Sequence, residues 1–135
     1  MKDLTVFSAE PKSSIVTVAK IVYGLHALSI LIGIAAGGSI IGAFLFSWPA
    51  IVAVMINFFL RSEARGTYVD SHFGWQLRTV FYCFLWTLFV GLVGFILSFV
   101  AIGFALWFIG FAVLGVWVAY RVCWGWYLLV NEKPV

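Results

Sequence analysis

Residues 21–60 form a run of forty positions without a lysine, arginine, aspartate or glutamate, and residues 79–120 form a second run of forty-two. No other feature constrains the fold as tightly. A helical crossing of a bilayer's hydrocarbon core takes about 20 apolar residues. Each block therefore has room for two helices joined by a short uncharged turn, and a charged island at 61–78 separates the blocks.

Composition points the same way. The 135 residues are 64% hydrophobic and only 10% charged, with a mean hydropathy of +1.13, whereas a soluble domain carries about 25% charged residues. The blocks lack the alternating pattern of a membrane barrel, and irregular backbone cannot face lipid unpaired. The expected fold class is an all-α membrane protein with four transmembrane helices arranged as two hairpins. The net charge of +3 reads as topology. Lys2, Lys12 and Lys20 precede the first span, Arg61, Arg65 and Arg78 separate the second from the third, and Arg121 and Lys133 follow the fourth. The turns near 37–39 and 101–103 carry no charge, so the positive-inside bias places both termini and the island on the cytoplasmic side. The lead-in to the first span does not have the form of a cleavable signal. Cys83 and Cys123 both fall near cytoplasmic helix ends, where no disulfide is expected.

The expected organisation is a cytoplasmic arm at 1–14, a membrane domain at 15–130 with spans near 15–36, 40–60, 75–99 and 105–122, and a cytoplasmic tail at 131–135. Ser29, Gly33 and Gly37 make a small-residue seam on the first span, the kind of stripe that lets another helix approach closely. On the third span His72, Gln76, Thr79, Cys83, Thr87, Gly91, Gly94 and Ser98 follow steps of three and four along one face, and Ala105, Ala112, Gly115, Ala119 and Cys123 do so on the fourth. A compact bundle is expected from these stripes. Pro49 either kinks the second span or restarts it after a shallow turn, and the kink is the preferred expectation. Trp124, Trp126 and Tyr127 suit a helix end lying among headgroups.

The island RSEARGTYVDSHFGWQLRT at 61–79, preceded by INFFL at 56–60 and by YGLHALS at 23–29, resembles a family of small uncharacterised inner-membrane proteins of Gram-negative bacteria. That family is itself distantly similar to the four-helix subunit of the chloroplast inner-envelope protein translocon, through its four-span architecture and a polar segment before span three. The resemblance implies a bacterial inner-membrane location and a four-helix fold. It carries no catalytic residues to this chain.

Candidate contacts to a partner or ligand gather at the mouth of the third span: His72, Gln76, Arg78 and Thr79, with Trp75, Arg61 and Arg65 beside them. The structural alternative is that Gly66 and Asp70 shape a turn, Asp70 or Ser71 caps the helix, and His72 and Gln76 tie the loop to neighbouring helices. His26 and His72 are weak metal or haem candidates, because each histidine or cysteine comes singly from a separate element and no ligand spacing is present. No cofactor is called for. No carboxylate falls within the spans, which argues against a proton- or cation-coupled exporter, since these embed an acid.

The leading expectation is a non-enzymatic accessory or interaction subunit of a larger membrane complex, with lipid and other membrane subunits or a second copy as partners and no role for nucleic acid. One alternative is a pore or a translocation component for protein or small solutes, lined by the stripe from His72 to Ser98. A further alternative is a haem- or quinone-associated redox subunit using His26 and His72.

Overall fold

A computed structural model describes residues 9–36, 39–100 and 102–135. These residues are helical almost throughout, and no strand occurs among them. The elements in order are α1 (Ser13–Ala35), α2 (Ile40–Phe46), α3 (Trp48–Leu60), a 3-10 turn (Arg61–Ala64), α4 (Tyr68–Ser98) and α5 (Ile102–Val130). Three of them, α1, α4 and α5, are long and apolar enough to cross a membrane, and the bent pair of α2 with α3 brings the number to four if it counts as one span.

α1 is the hub of the packing, touching α2, α3, α5 and, more lightly, α4, while α4 and α5 pair along their length. Its buried face is Ile15, Ala19, Val22, Tyr23, His26, Ser29, Ile30 and Gly33, a series of three- and four-residue steps that keeps one side of a helix against its neighbours. Gly33 permits the closest approach. A methyl there would stand 2.7 Å from Ile40 Cα and 3.0 Å from Ala43 Cβ, so the seam read from Ser29 and Gly33 joins α1 to α2. Gly37 lies outside the described residues. Midway along α1, Gly125 of α5 leaves room for the Tyr23 ring, which an added methyl would strike.

The region around Pro49 restarts rather than kinks. α2 ends when Ser47 turns extended (φ −70°, ψ 154°), and α3 begins with Pro49 in its first turn. In a continuous helix the proline would lack the N–H needed by the Leu45 carbonyl and its ring would press on that carbonyl; in the first turn its N–H would have been unpaired anyway. The two pieces meet at 46°. What precedes the break is a true helix, not the shallow turn that went with the restart alternative.

Two helices extend beyond the expected spans. α4 starts at Tyr68, seven residues ahead of the expected 75, and α5 runs unbroken to Val130 instead of ending near 122. At 31 residues, α4 is about 46 Å long at the helical rise, well over the roughly 30 Å hydrocarbon thickness. The tail is no loose appendage either. Glu132 sits at φ 55°, the Glu132 N–H donates to the Leu129 carbonyl and the Lys133 N–H to the Leu128 carbonyl. That pair of bonds is a Schellman stop with Pro134 just beyond it.

The small-residue stripe on α4 is used unevenly. Cys83 and Gly94 are buried, Gly91 faces open space, and Thr87 keeps a buried hydroxyl without a hydrogen-bond partner. A methyl on Gly94 would collide with the Trp107 indole, and one on Gly103 with the Gly94 carbonyl. On α5 the buried face is Leu114, Gly115, Val118, Val122, Gly125 and Leu129; Ala105, Ala112 and Cys123 point outward. Large aliphatic side chains form that face because α5 borders α1 and α4 at ordinary packing distance except at its glycines.

Gly94→Ala is expected to destabilise the protein by about 1–3 kcal/mol through overpacking. Gly91→Ala is expected to leave stability unchanged or raise it by up to about 1 kcal/mol through helix propensity. Thermal unfolding of both variants in the same detergent measures the contrast.

Candidate functional site

The island closes the gap between α3 and α4 with little freedom. After Leu60 the chain makes one 3-10 turn, with the Arg65 N–H donating to the Ser62 carbonyl and the Thr67 N–H to the Ala64 carbonyl. Gly66 then takes φ +79°, a left-handed conformation that glycine adopts without a Cβ penalty. Thr67 is the N-cap of α4; its hydroxyl donates back to the Ala64 carbonyl at 2.7 Å. The cap is thus neither Asp70 nor Ser71. Asp70 lies in the first turn, where a carboxylate complements the helix dipole, and it accepts from Arg61 Nε at 3.2 Å.

From there the first three turns of α4 are wired to α1, α3, α5 and the C-terminal tail. His72 is fully buried, with Nε2 2.7 Å from the Lys133 carbonyl and Nδ1 3.0 Å from the Tyr23 hydroxyl. A carbonyl only accepts, so Nε2 carries the proton and donates to it; Nδ1 is left as the acceptor, and the Tyr23 hydroxyl donates to it. One ring thereby joins α1, α4 and the tail. A second tie to the tail runs from the Val135 N–H to the Ser71 hydroxyl at 3.1 Å. One turn on, Asn57 Nδ2 of α3 donates to Gln76 Oε1 at 2.7 Å, both residues being buried. A turn further, Arg121 Nε of α5 donates to the Thr79 hydroxyl at 2.7 Å, and that hydroxyl donates to the Trp75 carbonyl at 2.8 Å. The Trp75 indole N–H donates to the Arg121 carbonyl at 3.1 Å, while the guanidinium lies 3.6 Å from the centre of the Trp75 ring. A cation held over an indole face gains from the ring quadrupole.

Of the residues picked out in the sequence, the structure brings His72, Trp75, Gln76 and Thr79 together. It turns the last two and His72 inward, where they bond within the chain. Arg61, Arg65 and Arg78 remain exposed. Arg61 and Arg65 border an open hollow of about 310 Å³ shared with Phe58, Asp70 and Leu77, and this is the contact surface the island offers. His26 lies deeper, packed against Phe44 with ring centres 5.1 Å apart, and neither ring nitrogen has a hydrogen-bond partner. It borders a cavity of about 10 Å³ with Tyr23, Gln76, Thr79 and Arg121, a volume that takes about one water. Asn57 Oδ1 and Gln76 Nε2 are likewise buried without partners.

For metal chemistry His72 has both ring nitrogens committed, and among the described residues no three of His, Cys, Asp and Glu cluster. Cys83 is buried and Cys123 exposed, both as free thiols. Tyr23 and the Lys133 carbonyl were not singled out in the sequence. Tyr23 had a signal, a phenol three residues before His26 on the same helical face. A backbone carbonyl near the chain's end has none.

Comparison with known protein families, with curated proteins and with solved structures finds no match. What the coordinates define is therefore a class: an all-helical chain with three membrane-length apolar helices and a hydrogen-bonded knot at its basic end.

Tyr23→Phe removes the donor to His72 Nδ1 and leaves a buried acceptor unpaired, at an expected cost of about 1–3 kcal/mol, read as a lowered unfolding midpoint in detergent. A double-mutant cycle on Asn57→Ala and Gln76→Ala is expected to return a coupling of about 0.6 kcal/mol, the mean size of interhelical side-chain bonds in membranes. A coupling of zero would show that the pair does no more than fill space.

Proposed function

We propose that this chain is a non-enzymatic accessory or interaction subunit of the bacterial inner membrane, crossing it four times with both termini cytoplasmic. The α2–α3 pair serves as the broken second span. The reading is supported above all by how little of the α4–α5 hairpin the chain itself covers. Within a continuous apolar stretch of eighteen residues in each helix, 39% are buried in α1 and 22% in α5, but only 11% in α4. On that uncovered surface Gly91 has nothing within 4 Å of an added methyl, and Ala105 and Ala112 of α5 point outward. Small residues left free on an apolar helix face are what close approach by another helix requires.

The polar residues that would line a pore are instead spent within the chain. His72 bonds Tyr23, Gln76 bonds Asn57, and Thr79 bonds Arg121. An aqueous path along α4 would have to break these bonds, so the interaction reading is preferred over the translocation one.

Purification in a mild detergent, preceded by cross-linking in the membrane, is expected to recover a reproducible second subunit or a homo-oligomer. Gly91→Leu is expected to lower that recovery at least severalfold while the unfolding midpoint of the isolated chain stays put, because a Cβ added there has nothing within 4 Å in the monomer. Recovery of a lone monomer from wild-type membranes would sink the proposal.

A further inference from the structure

α4 and α5 run antiparallel, and between them lies a groove of about 480 Å³ lined by Tyr82, Trp86 and Val90 of α4 and by Gly110, Val113 and Trp117 of α5. Within the groove the helices touch at Gly110, where an added methyl would stand 2.7 Å from Val90 Cγ1. From Tyr82 to Val90 the groove follows α4 for about 12 Å. Its lining is exposed: Trp86 is 52% and Val113 64% accessible.

Two arginines lie beyond one end of the groove, outside its lining. Arg78 lies one turn before Tyr82 on α4, and Arg121 lies one turn after Trp117 on α5. Because the helices are antiparallel, both arginines come to the same end. The Arg121 guanidinium is 5.1 Å from the centre of the Trp117 ring, and the Arg78 and Arg121 charges repel each other. Among the described residues the single ion pair is Arg61 with Asp70, so neither of these two arginines has a carboxylate.

We propose that the groove binds one anionic phospholipid, its acyl chain lying along Trp86, Val90 and Val113 and its phosphate between Arg78 and Arg121. The inference rests on the membrane-embedded reading above. A phosphate there relieves the repulsion and accepts from guanidinium N–H groups in the geometry arginine favours. Tyr82 and Trp117 flank the headgroup, where amphipathic rings belong. The occupant is a lipid rather than a helix because the rim is aromatic and bulky, whereas helix-to-helix seats are built from small residues. The site is distinct from the uncovered face around Gly91.

The full chain in nanodiscs of equimolar phosphatidylglycerol and phosphatidylcholine, released for native mass spectrometry, is expected to retain one phosphatidylglycerol in preference. Arg78→Gln, which removes an exposed guanidinium, is expected to lower that preference about fivefold, the worth of one basic side chain toward an anionic lipid. Val113→Trp fills the groove from its open side and is expected to abolish retention of either lipid. Equal retention of the two lipids by the wild type, or an Arg78→Gln variant identical to it, overturns the site. So does a dimer mass in place of a lipid adduct, which would assign the groove to a second copy. Insertion into the disc is scored separately by co-elution, so loss of the preference in fully inserted protein counts against the lipid site alone.

Discussion

His72 is held from two sides, donating to the Lys133 carbonyl and accepting from the Tyr23 hydroxyl, and the basic end of the molecule depends on this pairing. A buried imidazole must satisfy both nitrogens or bear the cost of desolvating them. Its two partners lie forty-nine residues upstream and sixty-one downstream. Satisfying the ring therefore fixes α1 against α4 and draws the chain's last residues onto the same spot. The Schellman stop after α5 is part of the same arrangement, since it turns the Lys133 carbonyl toward the ring. The Asn57–Gln76 and Arg121–Thr79 bonds then repeat the pattern one and two turns along α4, each time to a different helix.

The two ends of the long helices are consequently held by different physics. At the basic end, directional bonds and a guanidinium stacked on Trp75 tie four elements together. Toward the α4–α5 turn, cohesion comes from glycine-permitted contact, with Gly94 against Trp107 and Gly103 against the Gly94 carbonyl. Trp107 adds one bond from its indole N–H to the Gly91 carbonyl at 3.1 Å. Beyond these contacts the hairpin shows its apolar sides outward, which suits a helix pair that finishes its packing against lipid and other subunits.

Much of this was legible in the charge pattern alone. Two uncharged blocks of about forty residues dictate apolar helices whatever their packing, and the turn at Gly66 was foreseen. The face of α4 that begins at His72, Gln76 and Thr79 was also readable, because polar residues at helical spacing in an apolar segment must face something other than lipid. Two readings of their function were open: ties to neighbouring helices, the preferred one for His72 and Gln76, and outward contacts. Burial decides for the ties at these three positions and leaves Arg61, Arg65 and Arg78 at the surface. The α5 stripe misled because residue size alone does not say which face is covered. Its buried side is set by where α1 crosses, and Gly125 marks that crossing through its contact with Tyr23.

By itself, then, the sequence determined the all-helical, apolar class of fold and the residues too polar to face a bilayer, since these follow from local composition and from the free energy of leaving water. Only the tertiary structure decided that Pro49 opens a new helix, that α4 starts at Tyr68, that the tail docks on His72 and Ser71, and that an apolar groove lies between α4 and α5. Each of those outcomes depends on contacts between residues far apart in the chain, and no local pattern of spacing or hydropathy encodes which distant group a buried donor or acceptor will meet.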